Sequence, residues 1–469
     1  MQNKWLKWLI VLGCGVVVAL LPRPEGVTRE AWTLLAIFVA TIVGSIVQPI
    51  TASAVVLMGV TATVVFGALK PVDALKGYAD PVVWLVLAAF FLSCAMIKTG
   101  LGRRIALLFV KTIGGRTFGL GYALVSTDFV LASMIPSNGA RNGGVLMPIA
   151  LGICETYDSR PDDGTSGRLG TFLFNLLYQC DVIISATFIT GQVSNFIIAK
   201  LAFETAGIKL SYTTWLAAAI MPSLISLAVV PAIIYRFFPP EVKETPEAAT
   251  FAATELEKQG RVTRPEKIVL AIMAAVIFLW VTKDWIHSID IAIVALSGIA
   301  VLLIAGVVEW KDLMGDSNAW SVFIWYGGLV NMATALGETG ITKLFAASIA
   351  GNMTGMSWVM ALTLLALIYF FIHYFFASIT GHVLAMFVPF VTVTVAAGAP
   401  AGLAVLLLAY FANLSASLTH YGTTPGPIYF GTGYVKQGQW WTIGLIASIL
   451  NIIIWSTVGL GWWKVLGWW

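Results

Sequence analysis

A polar, glycine-rich stretch interrupts an apolar region in the first half of the chain. Its sequence is PSNGARNGG, residues 136–144. In hydrocarbon, each unsatisfied backbone group and each bare arginine costs several kcal/mol. Ser137, Asn138, Arg141 and Asn142 are therefore expected to line a wet cavity walled by protein. Short hydrogen-bonding side chains beside glycines suit anion binding, because exposed backbone N–H groups can then approach the ligand closely.

A weaker copy of this stretch occurs in the second half of the chain, with the sequence ASITGH at residues 377–382. His382 follows Ser378 at the spacing that separates the arginine from the serine in the first copy. Two such stretches at the tips of facing helical hairpins could each hold one carboxylate of a dianion. The predicted substrate contacts at the tips are Ser137, Asn138, Gly139, Ser378, Ile379 and Thr380.

Arg141 and His382 are the side chains in these stretches that can carry positive charge. An arginine inside a membrane is by default a functional-site hypothesis. The competing interpretation of Arg141 is a structural ion pair with Asp128 or Asp181. The competing interpretation of His382 is a core histidine whose hydrogen bonds are satisfied. The sequence leaves both alternatives open.

The composition indicates an all-α polytopic membrane protein. Hydrophobic residues make up 59% of the chain and charged residues 11%, whereas soluble domains carry roughly 25% charged residues. Apolar runs of about 20 residues predict helices rather than the short alternating strands of a barrel. The net charge of +4 gives no reason to expect nucleic-acid binding. Four cysteines without CxxC spacing are expected to be free thiols.

The chemistry of an enzyme is not indicated. The sequence contains no HExxH or GxSxG motif, no phosphate-binding loop and no cluster of His and Cys at metal-ligand spacing. We therefore expect neither an enzyme nor a protein that uses a cofactor.

The chain divides into two halves in which similar elements recur in the same order. Interrupted apolar segments at matching positions of two halves are typical of secondary transporters. We predict about 11 membrane-spanning helices, two re-entrant hairpins and two broken helices. The hairpins and broken helices are predicted at residues 119–154, 357–397, 169–203 and 401–434. Thr190 and Thr423 lie in the interruptions of the broken helices and complete the predicted substrate contacts.

The predicted parts of the chain follow from this order and from one hydrophilic linker. They are N-terminal scaffold helices at 1–118, a first transport part at 119–238, a cytoplasmic linker at 239–266, second-repeat scaffold helices at 267–352 and a second transport part at 353–469. A cytoplasmic N-terminus places roughly two-thirds of the 27 lysine and arginine residues inside the cell, as the positive-inside rule requires. The two hairpins then enter from opposite sides, which makes the repeat an inverted one.

The stretch at 136–144 resembles the Ser-Asn-Thr-Ala-Arg hairpin motif of the divalent anion/sodium symporter family. A later segment, SASLTHYGTTPGPIYFG at 415–431, resembles the dicarboxylate-exchanger branch of that family, the 2-oxoglutarate/malate translocators and citrate/succinate antiporters. The resemblance covers essentially the whole chain. It implies a homodimeric elevator transporter in the bacterial inner membrane, surrounded by lipids, that exchanges di- or tricarboxylates without sodium and without a cofactor.

The resemblance also implies roles for individual residues. Sodium-coupled members hold a sodium ion at each hairpin tip, and exchangers carry cationic side chains there, so Arg141 and His382 match substitutes for sodium. A fixed charge makes the return of an empty site across the bilayer costly, which favours exchange. Gly139 stands where the family motif has threonine, which could leave room for a larger acid. Ile379 replaces the asparagine of the second motif.

Two other functions stay open at this point. One is a sodium- or proton-coupled dicarboxylate symporter, since a histidine such as His382 ordinarily titrates near neutral pH. The other is an inorganic-ion transporter of the same superfamily. A sodium/proton exchanger is expected to carry carboxylates in the interruptions 187–195 and 419–427, and neither contains one.

Overall fold

The computed structural model describes residues 4–283, 285–341 and 357–469. In these residues the regular structure is helical, and no β-strand occurs. Nine helical segments of the described residues, counted with their adjoining 3-10 and π-helical turns, are long and apolar enough to cross a membrane. The prediction of an all-helical protein with many membrane spans is therefore confirmed, and the number of eleven crossings stays a prediction.

The helices of the two halves are joined by one further helix, Pro246–Gln259. Those of the first half are Lys4–Leu20, Arg29–Val47, Ala52–Val65, Pro71–Leu75, Pro81–Thr99, Leu101–Ile113, Thr117–Ala132, Asn138–Arg141, Met147–Thr156, Gly170–Thr187, Val193–Ala206 and Tyr212–Phe237. Those of the second half are Arg264–Thr282, Ile291–Ile304, Trp310–Gly315, Ser317–Glu338, Trp358–Ile372, Ile379–His382, Val388–Ala396, Ala401–Leu414, Pro425–Phe430, Gln437–Ile454 and Leu460–Val465. Residues 342–356 lie outside the described residues, and so does most of the interfacial segment predicted near them.

Both hairpins are built from the same sequence of local structures. At each tip a serine caps a four-residue helix, with Ser137 Oγ accepting from the N–H of Ala140 at 3.2 Å and Ser378 Oγ accepting from Gly381 at 3.5 Å. A five-residue π-helical turn follows in each hairpin, and the next helix has a proline in its first turn. The predicted internal duplication is therefore present in the local structure of the hairpins.

The two broken helices expose backbone groups at their interruptions, and buried side chains satisfy these groups. At the first interruption, Asn195 Nδ2 donates to the carbonyl oxygens of Ser185 at 2.7 Å and Phe188 at 2.9 Å. At the second, the Tyr178 hydroxyl lies 2.7 and 2.9 Å from two carbonyl oxygens and can donate its one proton to either. Because an unpaired group in hydrocarbon costs several kcal/mol, these side chains allow the helices to break inside the protein.

The predicted linker at 239–266 differs from a solvated connection. Its helix Pro246–Gln259 packs against Leu101–Ile113 of the first half. Arg104 Nε donates to Glu266 Oε1 at 2.6 Å, and both side chains are buried. The polar composition of the linker did not indicate this packing, because one short apolar face and one buried ion pair are sufficient to hold the helix in place.

Candidate functional site

A cavity of about 1230 Å³ brings the two hairpin tips together. It is also lined by helices of the predicted scaffold parts, chiefly Pro81–Thr99 and Ser317–Glu338. The predicted contacts that line this cavity are Ser137, Asn138, Gly139, Ser378, Ile379, Thr380 and Thr423. The two polar stretches of the sequence therefore face one space. This volume exceeds the ordinary range for a ligand pocket, roughly 300–1,000 Å³.

The side chains at the tips are electrically neutral. Asn138 Nδ2 donates to Thr423 Oγ1 at 3.0 Å, which connects the first tip to the second interruption. Charged residues line the other end of the cavity, where Lys98 and Asp312 form an ion pair at 2.5 Å. The hydrogen bond from Lys98 lowers the pKa of the Asp312 carboxyl, so this pair adds no net charge at neutral pH. An anion at the tips would meet hydroxyl, amide and backbone groups.

Thr190 differs from the other predicted contacts because it does not line the cavity. It is fully buried, and its hydroxyl donates to the carbonyl oxygen of Ala132 at 2.8 Å. It supports the first hairpin immediately before the tip, and a direct contact between Thr190 and substrate stays a prediction.

Gly139 does not leave the vacant space that its sequence suggested. A Cβ atom at this position would lie 2.6 Å from Cγ2 of Thr424. Thr424 lines the cavity and is exposed to it. The glycine therefore lets the first tip approach the second interruption, and Thr424 fills the volume that a larger residue at 139 would need.

Gly139→Ala is expected to weaken substrate binding by about 5- to 150-fold, because overpacking of this kind costs ~1–3 kcal/mol. The added methyl group must push Thr424 or the tip itself out of position. Gly144→Ala in the same hairpin is the matched control, since a Cβ there meets no atom within 4 Å. Titration of both purified variants with malate measures the effect, and equal affinities would contradict this account of the contact.

Arg141 is fully buried and forms ion pairs with both aspartates considered from the sequence. Its Nε donates to Asp128 Oδ1 at 2.7 Å, and its Nη2 donates to Asp181 Oδ1 at 3.0 Å. Its Nη1 donates to the carbonyl oxygens of Ile135 at 2.8 Å and Gly191 at 2.6 Å. The guanidinium thus ties both arms of the first hairpin to the first broken helix. Two carboxylates compensate the charge of Arg141. The argument that a fixed, uncompensated charge favours exchange therefore does not apply to this residue. Substitution for sodium stays a prediction.

His382 is buried at the equivalent position of the second hairpin. Its ring lies 4.3 Å from that of Tyr369 and 5.0 Å from that of His373, centroid to centroid. The ring is buried among aromatic side chains, and its role at the tip stays a prediction. By the spacing of the repeat, Tyr369 corresponds to Asp128. An aromatic contact therefore stands in the second hairpin where the first has an ion pair.

Three buried amides connect the two interruptions, and the sequence analysis did not single them out. Asn413 Nδ2 donates to Asn195 Oδ1 at 2.9 Å, and Gln192 Nε2 donates to Asn413 Oδ1. Gln192 also lines the cavity. Amide side chains inside apolar segments are the signal that could have identified them.

Paired hairpins and broken helices around one cavity define a secondary transporter. The family model described as "Sodium:sulfate symporter transmembrane region" matches residues 2–469. The chain therefore belongs to this family, the divalent anion/sodium symporters, and it is a membrane transporter rather than an enzyme. The family predicted from the two motifs is confirmed.

Two curated relatives resemble the chain over nearly its whole length. It is 41% identical over 472 residues to the chloroplast dicarboxylate transporter 1 of Arabidopsis thaliana, covering 100% of this chain and 84% of that protein. It is 31% identical to the L-tartrate/succinate antiporter of Shigella flexneri, covering 99% of both. Among solved structures, the YdaH transporter of Alcanivorax borkumensis has a TM-score of 0.53 at 15% identity, covering 99% of this chain and 98% of that one. This structural likeness concerns the fold.

Proposed function

We propose that the protein exchanges dicarboxylate anions across the inner membrane, holding one carboxylate at each hairpin tip. The observation that carries the proposal is that residues 137–139 and 378–380 line one cavity. Their hydroxyl and amide groups, together with backbone N–H groups near the starts of helices, can donate hydrogen bonds to carboxylates. Two separated donor groups suit an anion with two ends better than a compact inorganic ion.

The contacts at the two ends of one predicted scaffold helix support a moving transport part. Lys98 lies near one end of the helix Pro81–Thr99 and lines the cavity, while Asp80 caps the other end and pairs with Lys200 of the first transport part. At 1.5 Å per residue these ends are about 28 Å apart, close to the thickness of the hydrocarbon core. We infer that the scaffold and transport parts are in contact at one membrane face while the cavity opens at the other.

The positive-inside topology assigns these two faces. It places Lys98 inside, so the proposed state is open to the cytoplasm and closed outside by the pair of Lys200 and Asp80. To expose the site to the other membrane face, the two hairpins and broken helices would move together past the scaffold. This motion is an elevator mechanism with inverted repeats. A homodimer and a cytoplasmic N-terminus belong to the same proposal.

Counterflow in sodium-free proteoliposomes tests the proposed function. Vesicles loaded with unlabelled malate are expected to accumulate labelled malate or 2-oxoglutarate transiently, and empty vesicles are expected to take up almost none. The reason is that the transport part of an exchanger recrosses the membrane only with an anion bound. Sulfate-loaded vesicles are the comparison for an inorganic substrate and should not support accumulation. Robust uptake into empty vesicles under a sodium gradient alone would contradict exchange and favour a symporter.

A further inference from the structure

A buried charge cluster between the first hairpin and the first broken helix has more carboxylates than cations. Asp128, Arg141 and Asp181 are 2%, 0% and 0% exposed. Within the part of the chain that the structure describes, Arg141 is the one cation paired with either aspartate. With both carboxylates ionised, these three side chains carry a net charge of −1 at a buried position. An uncompensated buried charge is costly, and two carboxylates that share a site commonly retain one proton.

Each aspartate has one carboxylate oxygen that the surrounding donors leave largely free. Oδ1 of Asp181 accepts from Arg141 and, at 2.8 Å, from Asn142, whereas its Oδ2 has only a long contact of 3.4 Å from Asn138. Oδ1 of Asp128 accepts from Arg141, and its Oδ2 has no hydrogen-bond partner among the residues that the structure describes. A proton on one of these Oδ2 atoms would supply a missing donor and remove the excess charge.

The other titratable groups near the two carboxylates are neutral at physiological pH. They are Cys180 beside both aspartates, Tyr178 beside Asp181, and Tyr429 beside both. The Tyr429 hydroxyl already donates to Asn142 Oδ1 at 2.6 Å. These groups add no positive charge, so the compensating charge must come from solution as a proton or another cation.

We propose that Asp128 and Asp181 together form a proton-binding site whose occupancy is linked to substrate binding at the first tip. The link is Asn138, which lines the cavity and contacts Asp181. A dianion at the tip adds negative charge close to the pair, which favours the protonated form, and by reciprocity the proton favours binding of the dianion. The proton comes from solvent, binds a carboxylate oxygen and returns to solvent when the substrate leaves. This inference rests on the proposed dicarboxylate function.

Isothermal titration of the purified, full-length transporter with malate tests the link. The titrations use sodium-free buffers of low and high ionisation enthalpy between pH 7 and 8.5, where malate is a dianion. For the wild type, we expect the binding enthalpy to depend on the buffer, with uptake of up to one proton per malate and weaker binding as the pH rises. Asp128→Asn is expected to bind malate without proton uptake.

The outcomes separate the two proposals. Malate binding with a buffer-independent enthalpy across this pH range would overturn the proton site and leave the exchange function intact. Failure to bind malate, succinate or 2-oxoglutarate would overturn the function itself. The wild-type titration decides the first point even if Asp128→Asn does not fold. Asp163→Asn, on an exposed loop, is the control variant that should retain proton uptake.

Discussion

Arg141→Ala is expected to abolish exchange and to lower the free energy of unfolding by ~3–5 kcal/mol, the usual cost of removing one partner from a buried ion pair. The substitution leaves Asp128 and Asp181 buried without their shared counter-charge. It also removes the donors to the carbonyl oxygens of Ile135 and Gly191. Thermal unfolding of the purified variant and counterflow in liposomes measure the two losses.

The same variant is expected to acquire sensitivity to sodium. Removal of the guanidinium leaves a space bordered by two carboxylates, two carbonyl oxygens and the Ser185 hydroxyl, which lies 3.3 Å from Arg141 Nη2. Oxygen ligands of this kind suit hard cations. Sodium chloride should therefore raise the melting temperature of Arg141→Ala relative to choline chloride, since a cation present at 100 times its Kd stabilises by about 2.7 kcal/mol.

Arg104→Ala provides the matched control for this experiment. It also breaks a buried ion pair, but its partner is Glu266 and neither Asp128 nor Asp181. We expect a loss of stability without a sodium effect. Equal stabilisation of both variants by sodium, or no stabilisation of either, would contradict the assignment of Arg141 to the position of a dissociable cation.

The sequence was sufficient to predict the elements that carry the site, because these elements leave strong local signals. Ser137 and Ser378 cap short helices at the ends of apolar segments, and glycine follows within three residues of each. A polar cluster inside hydrocarbon has few structural explanations, so the repeat of this cluster predicted that both tips would share a cavity. The structure places them on one cavity wall.

The sequence could not determine how charges and volumes compensate each other across the fold. Whether Arg141 forms an ion pair depends on how three elements pack together in the fold. The two candidate partners, Asp128 and Asp181, were equally plausible from the sequence. The volume at Gly139 depended on Thr424, which lies in the opposite half of the chain. The packing of the linker helix could not be predicted for a similar reason. Local polarity does not reveal a short apolar face that packs against a distant helix.

Cross-linking the scaffold part to the transport part is expected to stop exchange completely. Thr334 Oγ1 of the scaffold helix Ser317–Glu338 donates to Glu204 of the first transport part at 3.0 Å. Cysteines at these two positions, in a background with Cys14 and Cys94 replaced by serine, can be joined by a short bifunctional thiol reagent with a reducible linkage. If the two parts must slide past each other, the joined protein is held in the state described here, and a reductant should restore counterflow.

A second pair of cysteines separates this effect from simple damage by the reagent. Ser53 and Ser321 lie on two scaffold helices, with their hydroxyl oxygens 3.1 Å apart. Joining them connects helices that keep their relative positions in an elevator, so exchange should persist at its original rate. Full exchange after quantitative cross-linking of positions 204 and 334 would exclude relative motion at this contact. Equal inhibition by both pairs would contradict this account, because a reagent at Ser321 can obstruct the cavity that this residue lines. If exchange is lost only with the pair at 204 and 334, transport requires motion between the two parts. Both pairs receive the same reagent, and only this pair joins the scaffold part to the transport part.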